Sequence, residues 1–113
     1  MSDNGDNKTL DPRREEGLLL DRRPKTKKPE MYAVVFHNDD YTTMEFVVYV
    51  LMKFFHKDET AATHVMLSVH KKGKGIAGVY TYDIAETKVT QVTGYAREQG
   101  HPLKVTMEPQ GAE

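Results

Sequence analysis

The distribution of apolar side chains divides this chain near residue 30. Residues 1–30 hold five hydrophobic residues (Met1, Leu10 and Leu18–Leu20) and none of the chain's ten aromatic residues. A segment with so little apolar surface cannot offset the entropy lost when its backbone becomes ordered. The sequence therefore predicts a disordered N-terminal arm at residues 1–29 and one small domain at residues 30–110.

Composition excludes several classes of protein. The chain has no cysteine, so a disulfide framework, a thiol nucleophile and a cysteine-based zinc site are all absent. No apolar run approaches the roughly 18 residues of a membrane span, and the N-terminus lacks the apolar core of a secretory signal. Lys and Arg nearly balance Asp and Glu, eight against seven in residues 1–30 and eight against ten thereafter. Nucleic-acid binding needs a basic excess, so we expect a cytoplasmic domain with neither a nucleic-acid nor a membrane partner.

The first half of the domain predicts a strand followed by two helices. Met31–His37 is rich in β-branched and aromatic residues, as buried strands are. Thr42 and Glu45 match a capping box at the start of a helix. Asp58 is placed to cap a second helix, which Gly73 ends. The apolar positions with helical spacing are Met44, Val47, Val48, Leu51, Met52 and Phe55 in the first helix and Ala62, Val65, Met66 and Val69 in the second.

The second half predicts strand, helix and strand. Residues 76–82 form the next strand, where Gly75 and Gly78 allow a bulge or a close backbone approach. A third helix opens at Asp83 and ends at Gly100, and residues 102–107 form the last strand. The order β-α-α-β-α-β predicts an α+β domain: a three-stranded antiparallel sheet covered by three helices.

The densest polar cluster is Asn38-Asp39-Asp40, between the first strand and the first helix. A turn explains such a cluster simply, because Asn and Asp side chains bond nearby backbone amides. Thr42 and Glu45 already supply the predicted cap, however, and adjacent carboxylates need a positive partner. A binding role for this loop therefore stands beside the turn.

His70 lies on the apolar face of the second predicted helix, four residues after Met66. A lone histidine on such a face is most often a packed residue with a satisfied hydrogen bond. If the first two helices pack together, they would enclose an apolar pocket with Asn38, Asp40 and His70 at its mouth.

Catalytic signatures are weak in this sequence. It contains no His-Glu-x-x-His, no Gly-x-Ser-x-Gly and no phosphate-binding glycine loop. A metal site formed by His37, Asp39, Asp40 and His70 is chemically possible, but no two of these residues have the i, i+4 spacing of paired ligands on a helix. A small metal-dependent enzyme using the acidic loop and His70 is one alternative function. A generic protein-interaction domain, in which the loop is merely a turn, is another.

Five short segments resemble the ClpS family in both order and spacing. They are residues 38–47 (NDDYTTMEFV), residues 64–70 (HVMLSVH) with residues 85–88 (AETK), and the closing Tyr95-Ala-Arg with His101-Pro-Leu103. ClpS proteins are non-enzymatic adaptors that deliver N-degron substrates to the ClpA unfoldase of the ClpAP protease. The resemblance implies no catalytic residue, cofactor or metal.

The resemblance also implies roles for particular residues. Asn38, Asp40 and His70 would hold the free α-amino group of the substrate. The pocket for a large first side chain (Leu, Phe, Tyr or Trp) would comprise Asp39, Thr42, Met44, Val47, Met66 and Leu103, with Met44 as a gate against β-branched residues. Glu86 and Lys88 would dock on the N-terminal domain of the unfoldase. The adaptor would act as a monomer, and its arm would engage the unfoldase after docking.

Overall fold

The computed structural model describes residues 29–111. The chain order is β1 (Met31–His37), α1 (Met44–Phe55), α2 (Glu59–Lys72), β2 (Lys74–Thr81), α3 (Tyr82–Glu98) and β3 (Lys104–Pro109). The predicted order β-α-α-β-α-β and the α+β class are confirmed. The predicted disorder of residues 1–29 lies outside the described residues, apart from Pro29.

The sheet has the order β2-β1-β3, and both pairings are antiparallel. β2 begins two residues before the predicted start, and β3 begins two residues after it. Lys74 and Lys104 both pair with His37, the last residue of β1. The backbone pairing with β1 therefore decides where β2 and β3 begin, even though the residues at these positions are polar.

A β-bulge lies in β2. Val34 pairs with Gly78 and Val35 pairs with Ile76, so that Ala77 is the extra residue. Ala77 is fully buried in the core, and a Cβ atom at Gly78 would lie 2.5 Å from the Tyr80 hydroxyl. Gly75 and Gly78 were predicted to allow either a bulge or a close backbone approach, and the pairing register shows the bulge.

The helices cover one face of the sheet. α3 packs against all three strands, while α1 and α2 pack against each other and against β2. The core they enclose includes Val34, Phe36, Val47, Val50, Leu51, Phe55, Ala62, Val69, Ala77, Ala85, Val92, Ala96, Leu103 and Val105. Phe36 and Phe55 meet edge to face, with ring centroids 5.5 Å apart, a favourable geometry for aromatic rings.

No polar or charged side chain is buried in the part of the chain that the structure describes. The predicted stripe of α1 is partly wrong, because Met44 and Met52 are exposed whereas Val50 is buried.

None of the helices within residues 29–111 is long and apolar enough to cross a membrane.

The helix ends follow the capping residues. Asp58 accepts a hydrogen bond from the Ala61 amide, and Gly73 ends α2 with φ of 92°, as predicted. α1 differs: Thr43, not Thr42, is its N-cap and accepts from the Phe46 amide at 3.1 Å. The predicted capping box is therefore wrong: the cap lies one residue later, and the residue three positions after Thr43 is Phe46, which cannot complete a box.

Gly75 sets how closely α2 approaches β2. A Cβ atom there would lie 3.0 Å from the Val69 Cγ2 atom and 3.1 Å from the Val65 carbonyl oxygen. A side chain here would therefore require the Val69 side chain and the α2 backbone to shift by a few tenths of an ångström.

We expect Gly75→Ala to lower the free energy of unfolding by about 1–3 kcal/mol, because the added methyl overpacks this contact. Gly94→Ala is the matched control. Gly94 lies within α3 and has nothing within 4 Å of its would-be Cβ, so the change should stabilise the domain by about 0.5–1 kcal/mol. Urea unfolding measures both variants, and equal effects would contradict the packing argument.

Candidate functional site

One backbone hydrogen bond brings the acidic loop to the end of α2. The Asn38 amide donates to the Gly73 carbonyl at 2.9 Å, one residue beyond the pairing of His37 with Lys74. The loop of residues 38–43 therefore starts beside the C-terminal turn of α2, which carries His70.

Asp39 determines the conformation of this loop. Its Oδ1 atom accepts hydrogen bonds from the Tyr41 amide at 2.8 Å and the Thr42 amide at 2.7 Å, and its Oδ2 atom accepts from the Thr42 hydroxyl at 2.7 Å. Thr42 is thus fully engaged by Asp39, which is why Thr43 caps α1. The turn interpretation of the cluster is correct for Asp39.

The environment of Asp39 keeps its carboxyl group ionised. Partial burial raises its pKa, but hydrogen bonds from Thr42 and Tyr41, together with the charge of His101, outweigh burial and lower the pKa below its ordinary value of 3.8. The carboxylate that holds the loop therefore persists at neutral pH and in mild acid.

Asn38, Asp40 and His70 have a different environment from Asp39. All three side chains are exposed, and none of them hydrogen-bonds to another group within residues 29–111. The loop precedes the N-terminus of α1, where carboxylates are favoured, and His70 lies near the C-terminus of α2, where a positive ligand is favoured. This arrangement presents polar acceptors without partners to solvent.

A cavity of about 320 Å³ opens next to these three residues. It is lined by Asn38, Asp39, Asp40, Thr42, Thr43, Met44, Val47, Met66, Val69 and His70. Val47 and Val69 are buried at 5% and 3% exposure, whereas Met44 is 45% exposed. The cavity therefore combines an apolar floor with a mouth of oxygen and nitrogen acceptors.

Eight of the nine residues predicted for the amine site and the pocket line this cavity. Leu103 does not: it is 1% exposed and belongs to the core. Thr43 and Val69 line the cavity and were not predicted for it. Val69 was already part of the predicted apolar stripe of α2, and Thr43 was missed because the cap was placed one residue too early.

The two residues predicted for docking have different surroundings. Glu86 is exposed near the start of α3. The Lys88 ammonium group donates to the Phe54 carbonyl in the last turn of α1 and lies 5.6 Å from the centroid of the Phe55 ring. Lysine there satisfies a carbonyl at a helix end, so Lys88 also joins α3 to α1.

Metal binding needs several ligands around one point. Between residues 29 and 111, no three His, Asp or Glu side chains come close enough to hold an ion together. His37, one of the four ligands considered, instead hydrogen-bonds Thr106 at 2.8 Å.

Comparison with known proteins identifies the family. The family model described as "ATP-dependent Clp protease adaptor protein ClpS" matches residues 27–106. The chain belongs to the ClpS family. It is therefore a Clp protease adaptor by family, as its sequence motifs indicated.

Similar ClpS proteins cover most of the chain. ClpS 2 of Bradyrhizobium diazoefficiens is 62% identical over 86 residues, which are 76% of this chain and 78% of that protein. ClpS of Caulobacter vibrioides strain CB 15 is 50% identical over 112 residues, covering 92% of this chain and 94% of that protein. The structure of Agrobacterium tumefaciens ClpS2 bound to L-phenylalaninamide is 41% identical, has a TM-score of 0.71, and covers 74% of this chain and 100% of the other.

The two aspartates of the loop should respond differently to substitution. Asp39→Ala leaves the Tyr41 and Thr42 amides without an acceptor, and we expect it to lower the free energy of unfolding by about 1–3 kcal/mol. Asp40→Ala should change it by less than about 0.5 kcal/mol, because the side chain is exposed.

Chemical denaturation of both variants measures this difference. Asp39→Asn is the control, since its amide oxygen can still accept from the backbone. A large loss of stability in Asp40→Ala would show that this carboxylate is structural.

Proposed function

We propose that this ClpS protein binds the free N-terminus of N-degron substrates and delivers them to a ClpA-type unfoldase. The observation that carries the proposal is the cavity of about 320 Å³ with an apolar floor and three exposed acceptors at its mouth. The adaptor works by recognition, with no catalytic residue and no cofactor.

The substrate's α-amino group has the chemistry that the mouth of the cavity can bind. An α-ammonium has three N–H donors and a pKa near 8, so it is mostly charged at neutral pH. Asp40 offers a carboxylate, Asn38 an amide oxygen and His70 a neutral ring nitrogen. The C-terminal end of α2 adds a favourable partial negative charge.

The apolar part of the cavity has the character required for a large first side chain. Val47 and Val69 form its floor, and Met66 is half-buried beside them. Met44 is exposed at the rim with Asp39 and Thr42. A flexible thioether can adapt to Leu, Phe, Tyr or Trp. The β-branched side chains of Val and Ile have a restricted χ1 angle and would not fit past the Met44 side chain.

A solved relative supports this assignment. Agrobacterium tumefaciens ClpS2, which has the same fold, was solved with L-phenylalaninamide bound. That molecule carries a free α-amino group and an aromatic side chain, the two features that the mouth and the floor of the cavity would bind here.

The expected affinity is in the micromolar range. Burial of one large apolar side chain contributes about 1.5–3 kcal/mol, and each hydrogen bond to a charged group about 1.5–3 kcal/mol. A pocket and two or three such bonds approach the roughly −8 kcal/mol of a micromolar complex, after ordering costs are included.

Peptide titration tests the recognition. Peptides beginning with Leu or Phe and carrying a free amine should bind, whereas N-acetylated peptides should lose at least about tenfold in affinity, since acetylation removes the charge and two donors. Peptides that begin with Val or Ile should also bind weakly. Met44→Ala should reduce the difference in affinity between these peptides and those that begin with Leu or Phe.

His70→Ala and Asp40→Ala should each weaken binding of the free-amine peptide in fluorescence anisotropy, while Glu98→Ala serves as an exposed control away from the cavity. Equal binding of acetylated and free peptides would contradict the proposal. Loss of binding on adding a chelator would instead favour the metal-dependent enzyme.

Docking on the unfoldase is proposed for Glu86 and the surface of α3 around it. Lys88 supports that surface by bonding the Phe54 carbonyl, so its role in docking is not separable from its role in the fold. The adaptor is proposed to dock as a monomer, with residues 1–29 engaging the unfoldase afterwards.

Two variants test the docking role of Glu86 and the structural role of Lys88 separately. Glu86→Arg should weaken binding to the N-terminal domain of the unfoldase without changing stability by more than about 0.5 kcal/mol. Lys88→Met should lower the free energy of unfolding by about 1–2 kcal/mol, because a carbonyl loses a charged donor. Calorimetric titration and urea unfolding measure the two effects, and normal docking by Glu86→Arg would place the docking surface elsewhere.

A further inference from the structure

The sheet has a second apolar face, on the side opposite to the core that the helices enclose, and α2 borders it. Ala33 and Val35 of β1 are 2% and 1% exposed, yet neither belongs to the helix-side core. Opposite residues in an antiparallel pair point to the same side. This face is therefore shared by their pairing partners Ile76, Val79, Thr106 and Glu108.

Two adjoining cavities form a trough on this face. One has a volume of about 490 Å³, with Val35 and Val65 in its lining, and the other about 310 Å³, with Ala33 in its lining. Ile76 and Glu108 line both, and the Ile76 side chain is 51% exposed. Both cavities lie apart from the proposed amine site. Residues of α2 line the larger of the two cavities and, separately, the cavity of the amine site.

Charge changes along the trough in a definite order. Glu108 lies opposite Ala33, near the start of β1. Ile76 lies opposite Val35, further along, and Lys74 lies opposite His37 at the end of β1. Lys72 adds a second positive charge at that end. From the beginning of β1 to its end, the trough therefore reads acidic, apolar, basic.

One segment of the chain outside the structure has the complementary order. Residues 15–23 (EEGLLLDRR) place two glutamates before three leucines, and Asp21 followed by two arginines after them. We propose that this segment binds in the trough, with Leu18–Leu20 on Ile76 and Val35. The two glutamates then approach Lys72 and Lys74, and the two arginines approach Glu108.

The length of chain between the segment and β1 permits this placement. Residues 24–30 are seven in number and span at most roughly 23 Å when extended. That suffices for the chain to leave the start of β1, reverse and run along the trough. Arg22 and Arg23 then arrive first, at the acidic end, and the glutamates last, at the basic end. The chain direction and the charge order thus agree.

Paramagnetic relaxation in the full-length chain tests the proposal. The chain has no cysteine, so Gly17→Cys carries a nitroxide label at one position only. Amide signals of residues 75–78 and 106–108 should lose more than half of their intensity. Replacing Leu18, Leu19 and Leu20 together by Ser should restore those signals.

Charge reversal is a second, independent test of the proposal. Lys72→Glu with Lys74→Glu should reduce the broadening, and adding Glu15→Lys with Glu16→Lys should recover it. Asp3→Lys with Asp6→Lys is the matched control, because it changes the charge of the same arm outside the segment. Equal recovery by the control pair would overturn the proposed pairing.

A mixed sample shows whether the segment in the trough belongs to the same chain or to a second copy. Nitroxide-labelled chains without ¹⁵N are added to ¹⁵N-labelled chains without nitroxide. Broadening at the trough in this mixture would overturn the proposal in favour of the arm of a second copy. Broadening centred elsewhere, or unaffected by the leucine replacements, would also overturn it. None of these variants touches the amine site, so the result is independent of peptide binding.

Discussion

The candidate site depends on the hydrogen bond between the Asn38 amide and the Gly73 carbonyl. Asn38 opens the acidic loop and Gly73 ends α2, so this bond joins the two segments that carry the proposed amine acceptors. Pairing of β1 with β2 aligns the two residues in the sheet. Gly75 then lets α2 lie close against β2. The position of His70 relative to Asp40 therefore follows from sheet register and one close contact, and needs no bond between the two side chains.

The loop shows how neighbouring residues of similar chemistry take different roles. Asp39 directs both carboxylate oxygens into the loop and holds Tyr41 and Thr42. Because Asp39 alone supplies the bonds that the turn requires, the side chains of Asn38 and Asp40 are available to a ligand. The turn and the binding interpretations of the cluster are thus both needed, for different residues.

Periodicity was sufficient to predict the elements and their order, because each strand and helix buries apolar residues at its own spacing. Properties set by longer-range contacts were not predictable in the same way. The cap of α1 moved from Thr42 to Thr43 because Asp39 binds Thr42. Leu103 belongs to the core although the family resemblance suggested the pocket, and Lys88 bonds a carbonyl 34 residues earlier in the chain. That Asn38, Asp40 and His70 lie at one cavity was predictable because they stand at the ends of two neighbouring elements, whereas their proposed role toward an amine came from the family resemblance.

The apolar core has a consequence for how such adaptors diversify. Within the described residues the core contains no buried polar or charged side chain, so the polar groups of the site lie at the surface. Surface substitutions away from structural bonds usually change stability little. Exposed positions such as Met44 can therefore vary while the domain still folds. Ligand preference can then change through successive single substitutions, each of which the fold tolerates.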